Sequence, residues 1–128
     1  MAIRWTGVCI DCADGRELAD FYALLFGWQI TATDGAGWFQ LGDPGGGVHL
    51  NIQADEWYEP PVWPEVSGAQ TKMMHFEIYV EDTDAAVAHA ITCGAREATA
   101  QPATRDPRTL RVMVDPAGHP FCLFTADG

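Results

Sequence analysis

The sequence predicts an α+β protein made of two tandem βαβββ modules, and three observations carry that prediction. The same order of elements occurs twice, first around Gly-Val-Cys-Ile-Asp-Cys with Asp14 and Gly27, then around His-Phe-Glu-Ile-Tyr-Val with Asp82 and Gly94. Each copy closes on an Asp-Pro turn with glycine, at Asp43-Pro44-Gly45 and Asp115-Pro116-Ala117-Gly118, followed by an apolar strand. Self-similarity at this period marks a repeated supersecondary unit. Between the turns, apolar residues alternate at the period of a strand rather than a helix.

The first strand is expected over 3–12. Asp14-Gly15-Arg16-Glu17 has capping-box spacing, so a helix starts there, and Gly27 supplies its stop. Leu18, Phe21, Tyr22 and Leu25 fall on one helical stripe and are expected to be buried. Strands at 28–33, 38–41 and 48–53 follow, separated by Asp-Gly and Asp-Pro-Gly turn signals. In the second copy a strand is expected at 73–80 and a helix at 83–93 with Val87, Ala90 and Ile91 inward. Strands at 95–99, 109–114 and 120–124 complete it, with a polar loop at 101–108. The modules are thus 1–54 and 72–128, joined by a linker at 55–71 whose prolines and aromatics break the pattern. Trp57 and Trp63 in that linker are expected to pack on the body or to cover a ligand, because large aromatics rarely stay in water.

Composition narrows the partners. Eighteen acidic residues against seven basic ones give a net charge of −11, with Lys72 the only lysine. That balance repels phosphate backbones and anionic lipid, so neither nucleic acid nor a membrane is an expected partner, while a cationic ligand is compatible. No apolar run reaches the ~20 residues of a membrane span, and the first residues lack the pattern of an export signal. The cytoplasm is the expected location. Cys9 and Cys12 form C-x-x-C, but residues three apart on a strand face opposite ways, so separate reduced thiols are expected rather than a redox or zinc pair.

Strand alternation also sorts the faces. Val8, Ile10, Cys12, Leu50, Ile52, Phe76, Ile78, Val80, Phe121 and Leu123 belong under the helices. The other face collects Gly7, Cys9, Asp11, His49, Asn51, Gln53, His75, Glu77, Tyr79, Cys122 and Phe124. A face this polar is either open to water or lines a site.

The two βαβββ units, the Asp14/Phe21-Tyr22/Gly27 pattern and the closing Asp115-Pro116-Ala117-Gly118-His119 resemble the vicinal oxygen chelate superfamily, which includes glyoxalase I, bleomycin-resistance proteins and extradiol dioxygenases. Lys72-Met73-Met74-His75-Phe76-Glu77 looks closest to actinobacterial glyoxalase-like proteins. The resemblance implies a curved eight-stranded sheet around a central cavity, in a homodimer. It places the superfamily's metal ligands at Gly7 or Val8, Asn51, His75 and Cys122, and only His75 is a usual ligand there. The expectation is therefore a metal-free protein that binds a small organic molecule, lined by Cys9, Asp11, His49, Asn51, Tyr79, Cys122, Trp57 and Trp63. The alternative is a lyase, isomerase or dioxygenase, either with one divalent metal at His75 or with His75 and Glu77 as an acid–base pair. A zinc ion held by His75 and Cys122 with His49 or Glu77 would need an unusual ligand set. A purely structural role is the third possibility.

Overall fold

The computed structural model describes residues 1–127. The chain divides into two compact units, Met1–Glu59 and Pro60–Gly128, so the division falls inside the segment expected to link the modules.

In the first unit, strand β1 (Gly7–Cys12) leads into helix α1 (Gly15–Phe26), followed by β2 (Gln29–Thr33), β3 (Trp38–Gly42) and β4 (His49–Ala54). The strands form one sheet in the order β1-β4-β3-β2, with β1 parallel to β4 and the other pairs antiparallel. Helix α1 begins as its sequence dictates: the Asp14 carboxylate accepts a hydrogen bond from the Glu17 amide at 3.1 Å, satisfying one of the orphan donors of the first turn. Gly27 ends the helix in the left-handed region at φ 70°, where a side chain would be strained. Leu18, Ala19, Phe21 and Tyr22 are fully buried against the sheet, beside Phe39, Leu41, Leu50 and Ile52. Tyr22 stacks on Phe26 at 5.9 Å, and Phe26 on Trp28 at 4.4 Å.

The second unit repeats the plan with β5 (Phe76–Tyr79), α2 (Thr83–Cys93), β6 (Arg96–Glu97), β7 (Leu110–Val114) and β8 (Pro120–Phe124), in the sheet order β5-β8-β7-β6. Again the first and last strands pair in parallel, Phe76 with Phe121 and Glu77 with Cys122. Asp82 caps α2 through the Ala85 amide at 3.1 Å. The same device holds both closing turns. Asp43 accepts from the Gly45 amide at 2.7 Å, and Asp115 from the Ala117 and His119 amides at 2.9 and 3.0 Å.

Several strands are shorter than expected, each for a local reason. β1 starts at Gly7 rather than at residue 3, because its partner β4 begins opposite, at His49, and Ile3 is left 85% exposed. β5 starts at Phe76 rather than at 73, because Met73 takes φ 59° in a tight turn closed by the Met74 amide on the Lys72 carbonyl. β6 covers two residues instead of five. Beyond it the Gln101 side chain stands in for a strand: its amide nitrogen donates to the Ala98 and Val112 carbonyls, and its oxygen accepts from the Val112 amide at 2.8 Å. Ile91 is not on the inner stripe and is 49% exposed. Thr83, Val87 and Ala90 form that stripe instead, and the next residue is turned about 100° round the helix.

All four cysteines are free. Cys12 is 1% exposed under α1 while Cys9 faces the other way and reaches solvent, as alternation requires. No helix among the described residues is long and apolar enough to cross a membrane.

Candidate functional site

In the second unit the sheet face opposite α2 is only partly covered. Ala98, Val112 and Val114 form a small buried cluster there, and Trp63, Leu110 and Cys122 pack against it. Trp63 is fixed by its indole N–H, which donates to the Ala100 carbonyl at 3.1 Å, and by the Lys72 ammonium, 4.8 Å from its ring centre. Lys72 is in turn paired with Glu65. A cleft of about 380 Å³ opens beside this indole, lined by Trp63, Lys72, His75, Pro102, Thr104, Arg105, Leu110, Val112, Pro120 and Cys122. A second hollow of about 290 Å³ shares His75, Arg105, Leu110 and Cys122 with it, and adds Glu77 and Phe124.

Strand register explains why these side chains converge. Cys122 lies opposite Glu77 on one side and Val112 on the other, so all three project from one face. His75, one step before β5, stands two residues from Glu77 and shares that face. Its Nε2 lies 3.8 Å from Glu77 Oε1. Cys122 senses every charge around it: burial pushes its thiol up most, Glu77 raises it further, and Arg105 and Lys72 pull it down. The net direction keeps the sulfur a neutral thiol, a poor nucleophile.

The loop after β6 supplies the outer wall, and it is firmly braced. Gln101 ties it to β7 as described above. Arg108 holds Asp106 through two nitrogens at 2.9 and 3.2 Å, and its own carbonyl accepts from Thr83 Oγ1 at 2.7 Å. Arg111 donates to the Pro107 carbonyl and pairs with Asp84 and Glu97.

Of the residues expected at a site, His75, Glu77, Cys122 and Trp63 meet at these hollows. Tyr79 shares their strand face but lies edge-to-face with Phe124 at 6.0 Å and does not line the cleft. Cys9, Asp11, His49 and Asn51 share one face of the first unit's sheet, with Cys9 beside Asn51 and Asp11 beside Gln53. The thiol of Cys9 is pushed up by burial and then by the Asp11 carboxylate. Asn51 Oδ1 is enclosed and has no hydrogen-bond partner, an arrangement costing about 1–3 kcal/mol. Trp57 is 82% exposed. The sequence reading missed Arg105, Lys72, Thr104, Leu110 and Val112. Lys72 carried a signal as the single lysine, whereas Arg105 sits in a loop without periodicity.

The positions at which the resemblance would place metal ligands do not fit a metal. Gly7 has no donor, and a Cβ there would meet the His49 carbonyl oxygen at 2.4 Å, so no side chain can replace it without moving the β1–β4 pair. Asn51 offers a neutral amide and Cys122 a thiol, where the resemblance would have a histidine, glutamine or glutamate. No cluster of three His, Cys, Asp or Glu side chains occurs among the described residues, whereas a Lewis-acid site of the superfamily's type needs three or four oxygen or nitrogen donors around one point.

Known proteins agree with this architecture. A family model described as a glyoxalase-like domain matches residues 7–124. Among solved structures, a glyoxalase/bleomycin resistance protein/dioxygenase family enzyme from Burkholderia phytofirmans PsJN is 23% identical, with TM-score 0.65, covering 94% of this chain and 96% of its own. An antibiotic binding protein from Streptomyces sp. CB03234 is 18% identical, with TM-score 0.62 and 98% of both chains covered. A glyoxalase/bleomycin resistance protein from Albidiferax ferrireducens T118 is also 18% identical, with TM-score 0.62 over 94% of this chain and 97% of its own. No curated protein matches the chain. At these identities the structural likeness shows the fold alone, and it does not favour actinobacterial relatives over others. The family match runs from the first strand to the last, and the chain belongs to the glyoxalase-like domain family of the vicinal oxygen chelate superfamily.

Proposed function

We propose that this protein binds a small organic molecule in the cleft of its second unit, without a divalent metal. The observation that carries this reading is the cleft itself. Its volume of about 380 Å³ falls in the range of small-molecule sites, and its apolar walls with a few convergent polar groups are the usual composition of such sites. The antibiotic binding protein among the structural neighbours gives small-molecule binding as a precedent on this fold. A homodimer, as the superfamily resemblance implies, and a cytoplasmic location belong to the same reading.

The test is a thermal-shift screen of small aromatic fragments on the wild type, Trp57→Ala, Trp63→Ala and Thr104→Trp. Thr104→Trp fills the cleft from its exposed rim without disturbing the buried cluster. Fragments that raise the melting temperature of the wild type and of Trp57→Ala, but of neither cleft variant, support the reading. Equal shifts in all four proteins would overturn it.

One observation favours a second reading, that of a lyase or isomerase. The 3.8 Å approach of His75 and Glu77 beside the cleft provides a base and its orienting carboxylate within one short movement of contact. Turnover of a cleft-bound compound that survives chelator and is lost in His75→Gln would establish it.

A further inference from the structure

We propose that the ligand of this cleft is a small organic acid, with an apolar body against Trp63 and a single oxyanion held by Arg105. The proposal rests on the reading of the cleft as a ligand site and assigns the chemical class of its occupant.

The chain has seven basic side chains in a background of eighteen acidic ones. Four of the seven are already committed: Arg16 to Asp20, Lys72 to Glu65, Arg108 to Asp106, and Arg111 to Asp84 and Glu97. Of the remaining three, Arg4, Arg96 and Arg105, only Arg105 lines the cleft. Its guanidinium has no hydrogen-bond or ion-pair partner among the described residues. What separates Arg105 from Arg4 and Arg96 is its place at the cleft, and two nearby carboxylates are used elsewhere. Asp106, its chain neighbour, turns to Arg108, and Glu65 turns to Lys72.

The backbone that carries Arg105 is also held in place. Its amide donates to the Pro102 carbonyl, and the braces at Gln101 and Asp106 fix the loop on either side. A guanidinium offers five donors in a planar fork that matches a carboxylate or other oxyanion. The apolar surface beside it, Trp63, Leu110 and Val112, suits the rest of a flat molecule. Lys72 also lines the cleft, but its charge is shared with Glu65, so among the described residues Arg105 is the free cation there. Glu77 opposes them from the adjoining hollow, where its carboxylate is 69% exposed and faces His75. That opposition selects a ligand with one negative charge over one with two. The net charge of −11 acts over the whole surface, but charges beyond about 10 Å are screened at 0.1 M salt, so the groups lining the cleft decide.

The test is calorimetric titration with three probes that share one ring system: 1-naphthoate, neutral 1-naphthamide and 1-naphthylmethylammonium. Wild-type protein is expected to bind the naphthoate at least tenfold more tightly than the amide, and the ammonium more weakly than either. Arg105→Gln is expected to bring naphthoate down to the level of the amide while leaving the amide unchanged. Arg96→Gln, which removes an unpaired arginine away from the cleft, should change nothing. Binding of all three probes at equal strength, or of the ammonium most tightly, overturns the acid assignment and leaves the cleft as a ligand site. A naphthoate preference that persists in Arg105→Gln overturns it as well. If none of the three binds at millimolar concentration and none shifts the indole N–H resonance of Trp63, the site and the assignment fall together.

Discussion

Asp34 gathers three backbone amides on one carboxylate oxygen, those of Ala36, Gly37 and Trp38, at 2.8, 3.1 and 3.0 Å. This turn connects β2 and β3, and it holds the Asp34 carboxyl below the usual carboxylate range, chiefly through the Ala36 amide. A group whose folded pKa is depressed contributes stability above its unfolded pKa, and that stability is lost as pH falls through the folded value. The urea midpoint of the wild type should therefore drop more steeply between about pH 4 and the acid limit than that of Asp34→Ala. Parallel curves would show that the turn contributes nothing to the acid response. At the same scale, Asn51 shows a polar group without a partner, and its enclosed oxygen marks a place where the first unit's sheet is less than fully satisfied.

Among the elements, β6 is ended by one side chain, that of Gln101. It takes three backbone hydrogen bonds that a longer β6 would have made, and it ends the ladder while still satisfying β7. Gln101→Leu leaves the Val112 amide without its acceptor, a loss of about 1–3 kcal/mol, while the Val112 carbonyl keeps the Ala98 amide. Hydrogen exchange at the Val112 amide should accelerate in this variant more than at any amide of β8. An unchanged rate there would mean that the loop holds itself. The same residue shows where sequence reading ran out. Helix α2 was legible at both ends, because Asp82 and Gly94 are local signals that act within one turn. β8 was legible too, since Phe121 and Leu123 alternate with half-buried neighbours. β6 was overestimated because its pairing is decided by a glutamine five residues downstream, and no periodicity reports that. Ile91 was misplaced because α2 buries small residues, Thr83 and Ala90, whose stripe is faint in hydropathy.

For the whole molecule, net charge and local charge point in different directions. The sum of −11 describes the surface and was compatible with a cationic ligand. It conceals the placement of Arg105 and Lys72 together beside an indole, which depends on the path of a braced loop rather than on composition. His75, Glu77, Cys122 and Trp63 were legible because strand parity or aromatic character singled them out. The acidic excess has its own consequence, since like charges repel in the compact state. Raising sodium chloride from about 20 to 200 mM shortens the screening length roughly threefold, and the melting temperature should rise by a few degrees. A flat or falling curve would show that the acidic residues are already balanced by their local partners.

The close approach of β1 to β4 bears on the lineage as well as on the structure. At position 7 even a single methyl group would strike the backbone of the neighbouring strand at His49. An ancestor or descendant with a histidine or glutamate there would have to space these two strands differently, and a point mutation at that codon cannot supply that spacing. Such a change would need the strand pair to part first, at a cost in stability, before the new side chain brought any advantage. Selection cannot easily cross such a valley, so descendants of this chain should vary around the cleft of the second unit rather than at position 7.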